Sequence, residues 1–255
     1  MNIVHVAAHQ DDEAHTLGTL LTYRKQGGHA ITLICTTNGD KGMTFNPEIP
    51  FAEAAKVRDR EMRDVAAALG ARYICLGAAD EFLYDTQEMR MKLIDAFREC
   101  EADLIFTHWP NDYNLDHNTT SSLVFQCSMN SIVASMQSSH PALKVTPKVF
   151  YWDVGDGFGF EGTHFVALDE ETVREKARII RLHKSQMEVM RKIGPDFADM
   201  AVDRARLVGE RVGVPYAEAF RPCLASRRTP LANMLPWAGA VHGRRIGPAA
   251  VHSLR

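Results

Sequence analysis

The first 150 residues alternate short apolar runs with longer amphipathic stretches. Runs rich in Val, Ile, Phe and Tyr predict β-strands, and the longer stretches between them predict helices. Strands are expected at Asn2 to Ala8, Ala30 to Thr36, Arg72 to Gly77, Asp103 to Thr107 and Lys148 to Asp153. Helices are expected at Glu13 to Gln26, Phe51 to Leu69, Thr86 to Cys100 and Thr119 to Met136.

This alternation of strands and helices is typical of an α/β protein. Parallel strands need right-handed crossover connections, so we expect a Rossmann-like, mostly parallel twisted sheet with helices on both faces. In such sheets the ligand lies beyond the carboxyl ends of the strands. With the common strand order 3-2-1-4-5, the loops after strands one and four are neighbours, so the active site is expected just after Ala8 and Thr107.

The rest of the chain divides into a structured part and a basic end. After a glycine-rich turn at residues 155–162, we predict a strand at His164 to Leu168 and helices at Glu170 to Lys192 and Asp199 to Val212. Residues 221–255 contain six arginines and no acidic residue. We therefore predict a single domain over residues 1–220 and a basic C-terminal arm or tail over residues 221–255.

Composition and charge narrow the function classes. The chain has 255 residues, 45% of them hydrophobic and 24% charged, and its formal net charge is -3. This mixture is typical of a globular protein, and it provides no basic field for nucleic acid or anionic lipid. The first residues already follow an apolar strand pattern without a basic region, so we expect no secretory signal, and no apolar run in the sequence is long enough to span a membrane. We expect a cytoplasmic protein with a small-molecule partner, and a homo-oligomer remains open.

Two polar loops follow predicted strands one and four. Their candidate residues are His9, Asp11 and Asp12 in the first loop and His108, Asn114, Asp116 and His117 in the second. Helix capping explains one or two of the acids but not the histidines. Histidine and aspartate are the ligands that zinc prefers where cysteine is absent, and the five cysteines form no CxxC pair. The two loops together predict one open metal site with three protein ligands.

Several short motifs occur in a fixed order along the chain. The first strand is followed by Ala-His-Gln-Asp-Asp-Glu at residues 8–13, and a His-x-Pro-x-Asp segment and an Asp-His pair follow at residues 108–112 and 116–117. Further segments are Thr-Asn-Gly-Asp at residues 37–40, Arg58 with Glu61, Asp80, and His-Lys-Ser-Gln at residues 183–186. This set resembles the PIG-L/LmbE family of zinc-dependent N-deacetylases from Val4 to about Phe220. The resemblance implies a hydrolase that removes an acetyl group from the amide nitrogen of an N-acetylglucosamine-type substrate.

The resemblance also implies a role for individual residues. The metal ligands would be His9, Asp12 and His117 around one Zn2+ per chain, although this ligand set also suits other divalent ions. Asp11 would be the general base that takes a proton from the attacking water. Asp116 would orient a ligand imidazole.

The substrate-binding residues implied by the family are Arg58, Asp80 and His108. Arg58 and Asp80 match positions that hold sugar hydroxyls, since a polar ligand needs paired donors and acceptors. His108 would contact the substrate from the second loop or fix that loop. An ordinary helix-neighbour pair with Glu61 is the alternative interpretation of Arg58.

Two residues depart from the family pattern. Asn114 occupies the position of a histidine that is thought to stabilise the oxyanion. An Asn amide donates a hydrogen bond but carries no positive charge, and losing one good oxyanion donor costs about 100- to 1,000-fold in turnover. Another acid, such as His15 or His108, is an alternative proton donor. Gln10 replaces a common proline, which leaves the first loop less fixed in its backbone angles.

Two other function classes remain open. A phosphoesterase would use Asp and His residues to hold two metals about 3.5 to 4 Å apart. A catalytically weakened sugar- or nucleotide-binding protein of the same fold would explain Asn114. The metal content per chain separates the first alternative from the deacetylase, and release of free amine separates the second.

Overall fold

One seven-stranded sheet organises the described part of the chain, which comprises residues 1–155, 158–236, 240–241 and 244–245 of this computed structural model. The strands are β1 (Asn2–Ala7), β2 (Ala30–Thr37), β3 (Arg72–Ala78), β4 (Leu104–His108), β5 (Lys148–Trp152), β6 (His164–Leu168) and β7 (Tyr216–Pro222). The helices are α1 (Leu17–Gln26), α2 (Phe51–Leu69), α3 (Gln87–Glu99), α4 (Leu115–Asn130), α5 (Glu170–Ile180), α6 (Lys184–Ile193) and α7 (Phe197–Val212). Short 3-10 helices lie at Asp12–His15 and Ala232–Met234, and a two-residue ladder pairs β8 (Ala240–Val241) with β9 (Arg244–Arg245).

The strand order is β3-β2-β1-β4-β5-β7-β6, and the first five strands are parallel. This order confirms the predicted α/β fold. The central strand β1 pairs with β2 on one side and with β4 on the other, so that Ile3 lies opposite both Ile31 and Leu104. The loops that follow β1 and β4 are therefore neighbours at the carboxyl edge of the sheet.

Both faces of the sheet are buried under helices. Ile3 of β1 and Phe106 of β4 pack into a core with apolar residues of α1, α2, α5 and α7. Val4 of β1 and Ile105 of β4 point to the opposite face and pack with α3 and α4. This alternation explains why the central strands are apolar at nearly every position. None of the described helices combines the length and the apolar character that crossing a membrane requires.

Four elements differ from the sequence prediction. The first predicted helix begins as a 3-10 turn, and α1 starts only at Leu17. Helix α4 starts at Leu115, four residues before the predicted start, because Asn114 caps it, and it ends at Asn130, six residues before the predicted Met136. The predicted helix at Glu170 to Lys192 is divided between α5 and α6 near His183, and β7 was not predicted.

The start of the predicted basic arm is joined to the sheet. The predicted boundary at residue 220 lies within β7, which pairs antiparallel with β5 and β6. Beyond β7, the carbonyl of Arg228 accepts a hydrogen bond from the backbone of Val149, and Leu235 is buried in the core. Residues 237–239, 242–243 and 246–255 of the predicted arm lie outside the described residues, as do residues 156–157 of the glycine-rich turn. The domain division stays a prediction.

Candidate metal centre

Loop one (residues 8–15) carries His9, Asp11 and Asp12 from the end of β1 into the 3-10 turn. The Asp12 carboxylate accepts a hydrogen bond from the backbone N–H of His9 at 2.8 Å, which brings these two side chains to one side of the loop. Between them, Asp11 has a φ angle of 148°. A non-glycine residue in this region carries a backbone cost of about 1–3 kcal/mol, and such residues concentrate at functional sites.

Loop two (residues 108–117) follows β4 and ends in the first turn of α4. Asn114 is the N-cap, and its Oδ1 accepts hydrogen bonds from the backbone N–H groups of Asp116 at 2.8 Å and His117 at 3.4 Å. The carboxylate of Asp112 in turn accepts from the Asn114 backbone at 3.0 Å. These contacts fix the path of loop two and the start of α4. His117 therefore lies at a defined position in the first turn of the helix.

The two loops bring His9, Asp12 and His117 into one cluster. The Nδ1 atom of His9 lies 3.2 Å from Nε2 of His117. Asp12 approaches His117 Nε2 at 3.5 Å and His9 Nδ1 at 3.6 Å. Two ligands about 2.05 Å from a tetrahedral zinc ion lie about 3.3 Å apart, so this donor set and spacing fit such an ion.

Each imidazole of this cluster has a carboxylate partner on its other ring nitrogen. Asp112 Oδ1 lies 2.9 Å from Nδ1 of His117, and Asp116 Oδ2 lies 3.3 Å from Nε2 of His9. These contacts favour protons on the outer nitrogens and leave the inner nitrogens with lone pairs directed at each other. The sequence predicts such a role for Asp116 but not for Asp112. The signal for Asp112 was its position five residues before His117, on the other side of the Asn114 cap.

A second group of potential ligands consists of His108, Asp112 and His117. It is less suited to a metal because its atoms already serve the protein. His108 Nε2 accepts a hydrogen bond from the Ala8 backbone at 2.9 Å, while Asp112 and His117 bind each other. The His108 ring also stacks on His117 at a centroid distance of 4.0 Å. His108 therefore stabilises both loops, through the Ala8 backbone of loop one and the His117 ring of loop two.

The electrostatics of the cluster favour positive charge. Burial works to raise the pKa of Asp12, but the His117 ring and a hydrogen bond with His9 outweigh burial and hold this pKa well below its ordinary value. Burial likewise works to lower the pKa of His9, but hydrogen bonds with Asp116 and Asp12 raise it well above its usual range. Burial lowers the pKa of His108 to about 3, so this ring is neutral. An ionised carboxylate and a proton-attracting imidazole are what a cation site requires.

Asp11 lies beside the buried Arg58. Its Oδ1 atom is 3.3 Å from Nη2 of Arg58, and the same guanidinium donates a hydrogen bond to the backbone carbonyl of Gln10. Burial raises the pKa of Asp11, and the Arg58 charge offsets only part of this effect. A carboxylate with a raised pKa at a strained position has the properties of a general base.

The predicted substrate-binding residues are buried. Arg58 is 2% exposed, Asp80 is 5% exposed, and His108 is 0% exposed. Both carboxylate oxygens of Asp80 accept backbone N–H groups, from Gly39 at 2.9 Å and Lys41 at 3.2 Å. The structure brings Asp11 and Arg58 together, and it directs Asp80 to the loop after β2. Their roles toward a substrate stay predictions.

Residues far along the chain hold loop one in place. His183, at the junction of α5 and α6, lies 2.8 Å from the Glu13 carboxylate, and both side chains are fully buried. The Gln10 side chain donates to the carbonyl of Thr37 at 3.0 Å. From the sequence, Glu13 and His183 stand out only as parts of motifs. Their spacing along the chain carries no signal of these contacts, which form only in the folded protein.

Comparisons with known proteins agree with this architecture. Residues 4–128 match the model of the family described as PIG-L: GlcNAc-PI de-N-acetylase. Among solved structures, the chain is similar to N,N'-diacetylchitobiose deacetylase from Pyrococcus horikoshii (21% identity, TM-score 0.74, 87% of this chain and 83% of that one). It is also similar to the conserved protein TT1542 from Thermus thermophilus (22% identity, TM-score 0.72, 91% of this chain and 100% of that one). A third is GalB, the 4-carboxy-2-hydroxymuconate hydratase from Pseudomonas putida (19% identity, TM-score 0.73, 91% of this chain and 100% of that one).

At these identities, the structural likenesses show a shared fold. The family match adds a sequence relation, and its range contains both loops and every residue of the metal cluster. Over residues 4–128, which are 125 of its 255 residues, the chain therefore matches the PIG-L family.

Proposed function

We propose that this protein is a metal-dependent N-deacetylase that hydrolyses the acetamide of an N-acetylglucosamine-type substrate. The observation that carries the proposal is the convergence of His9, Asp12 and His117, from two loops about a hundred residues apart, at the spacing of a three-ligand zinc site. The match to a family of de-N-acetylases supports the reaction class.

The residues around the cluster have complementary tasks in such a hydrolysis. His9, Asp12 and His117 would hold a zinc ion, which would supply Lewis-acid polarisation for the acetamide carbonyl and for the attacking water. Asp11 accepts the proton of the attacking water at its carboxylate, which Arg58 holds in place at 3.3 Å. Asp112 and Asp116 keep the imidazoles of His117 and His9 in the tautomers that leave their inner nitrogens unprotonated.

Asn114 is proposed to donate to the oxyanion. Its Oδ1 accepts two backbone N–H groups of α4, so its amide nitrogen is directed away from the helix. An N–H donor at this position stabilises negative charge on the carbonyl oxygen without carrying charge itself. We therefore expect slower turnover than a histidine at this position would give.

The first experiment measures metal content and amine release together. The purified protein should bind about one zinc per chain by mass spectrometry of the metal, and it should release free amine from N-acetylglucosamine derivatives in a zinc-dependent way. His117→Ala should lose both properties. His140→Ala is a matched control, because His140 pairs with Asp95 outside both loops.

Three outcomes would contradict the proposal. Normal zinc content in His117→Ala would remove this residue from the ligand set. Two metals per chain would favour the phosphoesterase. Zinc binding without amine release would favour another reaction of this fold, and because GalB is named as a hydratase, water addition to an unsaturated acid is the reaction to assay next.

A further inference from the structure

Gln10 lies in loop one between His9, a proposed ligand, and Asp11, the proposed base. Its side chain is fully buried although it is polar. The amide nitrogen Nε2 donates to the carbonyl of Thr37 at 3.0 Å and to the hydroxyl of Tyr73 at 3.3 Å. Because these partners belong to β2 and β3, one side chain ties loop one to two strands of the sheet.

Thr37 holds the residues on both sides of His9. Its backbone N–H and its hydroxyl both donate to the carbonyl of Ala8, at 3.0 Å and 2.8 Å, and its own carbonyl accepts from the Gln10 amide. Gly39 packs against that amide so closely that a Cβ at this glycine would lie 2.6 Å from Oε1 of Gln10. The segment after β2 therefore encloses the Gln10 side chain and restricts its movement.

The peptide group between Gln10 and Asp11 is also fixed. Arg58 donates a hydrogen bond to the carbonyl oxygen of Gln10, and the carbonyl oxygen of Asp11 accepts from the backbone N–H of Ala14 at 3.0 Å. The φ angle of Asp11 depends on the orientation of the peptide group that precedes it. Since this angle is 148°, contacts that hold the Gln10 peptide group also hold the strained conformation of Asp11.

These contacts restrain the backbone in a different way from a proline ring. A proline at position 10 would fix its own φ angle at about −65° without any contact to the rest of the chain. Gln10 leaves this angle free, but its amide and its carbonyl are both bound to other segments. Side-chain contacts thus supply the restraint that the sequence alone led us to expect to be missing.

From these contacts we infer that Gln10 is a positioning residue, whose side chain holds loop one in the shape that places the Asp11 carboxylate for the attacking water. The inference rests on the proposed function, because Gln10 is fully buried and acts through Asp11 rather than on the substrate. It assigns to the hydrogen bonds of one amide the task of maintaining a strained backbone beside the metal cluster.

The first test compares Gln10→Ala with Gln10→Pro. Both variants lose the contacts of the amide, but only proline restrains the backbone in their place. In the zinc-loaded protein, Gln10→Ala should lower kcat for amine release about 10- to 100-fold and change KM less than about threefold, because the base is displaced while the substrate contacts remain. Gln10→Pro should stay within about threefold of the parent kcat.

Hydrogen exchange provides a readout that needs neither zinc nor substrate. In the zinc-free protein, the amides of loop one should exchange about tenfold faster in Gln10→Ala than in the parent, and Gln10→Pro should restore most of this protection. Amides of α7 should exchange at the parent rate in both variants. Gln87→Ala is a matched control, because Gln87 is an exposed glutamine at the start of α3.

A milder variant tests the same anchor in case Gln10→Pro does not fold. Tyr73→Phe removes one partner of the amide and keeps the ring, so kcat should fall about threefold. In a double-mutant cycle, adding Tyr73→Phe to Gln10→Ala should cause no further loss, because both changes break the same contact. Losses that add in full would contradict a role of Tyr73 through Gln10.

The outcomes separate this inference from the proposed function. An unchanged kcat in Gln10→Ala, or an equal loss in folded Gln10→Ala and Gln10→Pro, would overturn the positioning role. Amine release by the parent, together with loop-one exchange that Gln10→Ala does not alter, would overturn the inference and leave the proposed function intact. Faster exchange in Gln10→Ala that proline reverses, without amine release from the parent, would support the positioning of loop one and contradict the deacetylase.

Discussion

Loop one and loop two contribute to the same cluster but are stabilised differently. Loop two is held by its own residues: Asp112 binds the Asn114 backbone, and Asn114 caps the helix that carries His117. Loop one contains the strained Asp11, and its supports, Arg58 and His183, come from α2 and from the junction of α5 and α6. A local turn thus positions the proposed ligand His117, whereas contacts with distant parts of the chain determine the shape of loop one.

This difference indicates that the proposed base, Asp11, has to be positioned more accurately than the proposed ligands. Backbone strain persists only where the surrounding structure over-determines it, and in loop one the strained residue is the proposed base rather than a ligand. A metal ligand has to lie within coordination distance of the ion, whereas a general base has to lie within hydrogen-bond distance of one particular proton. The predictions below test this division, from the largest expected effect on turnover to the smallest.

Two replacements of the strained Asp11 should have the same effect on turnover but different effects on stability. Asp11→Asn removes the proton acceptor, so turnover should fall about 100- to 10,000-fold with zinc content unchanged. Asp11→Gly should be equally inactive yet more stable than Asp11→Asn by about 1 kcal/mol, because glycine adopts positive φ without strain. Amine release and denaturant unfolding measure the two effects. Full turnover in Asp11→Asn would exclude Asp11 as the base, and equal stabilities would mean that loop one is not strained.

Variants of Asn114 can separate its role as the N-cap of α4 from its proposed role as a donor to the oxyanion. Asp caps helices as well as Asn but has no amide N–H, so Asn114→Asp should lose about 100- to 1,000-fold in turnover with little change in stability. Asn114→Ala should show the same loss of turnover and, in addition, about 1 kcal/mol lower unfolding free energy. Parallel kinetics and urea titrations distinguish the variants. If Asn114→Asp keeps full activity, Asn114 acts only as a cap.

The remote support of loop one should affect stability more than turnover. His183→Ala leaves the buried Glu13 carboxylate without its partner, which should cost about 3 kcal/mol of unfolding free energy and about tenfold in turnover through displacement of loop one. His183→Gln retains an N–H donor and should lose less of both. Thermal unfolding and amine release are the measurements. An alanine variant as stable as the parent would show that loop one does not depend on this contact.

The sequence was sufficient for the features that depend on local pattern. Apolar runs located six of the seven strands of the sheet, and the assumed strand order correctly made the loops after β1 and β4 neighbours. Helix α2 was predicted at its observed bounds, Phe51–Leu69, because its stripe of buried residues is regular and Gly70 ends it in a left-handed cap.

Features set by tertiary contacts were not predictable in this way. Strand β7 escaped prediction because polar residues, the buried Glu218 among them, interrupt its apolar pattern. The break at His183 interrupts an amphipathic pattern that continues on both sides, and its cause is a contact with Glu13, 170 residues earlier. Asp112 was missed because its role depends on the turn that folds it back onto His117.

Glu218 links the beginning of the fold to its end. Its carboxylate accepts the backbone N–H groups of Gly18 at 2.9 Å and Thr19 at 2.7 Å, at the start of α1, and pairs with Lys176 at 2.7 Å. Gly18 and Glu218 are 200 positions apart. On the ribosome, the helix leaving loop one must therefore wait for β7 before it gains this anchor. A nascent chain that ends before β7 already contains His9 and His117, the two proposed histidine ligands, but it lacks the Glu218 contact that fixes the start of α1, so the region around loop one is expected to become fully ordered only after β7 has folded.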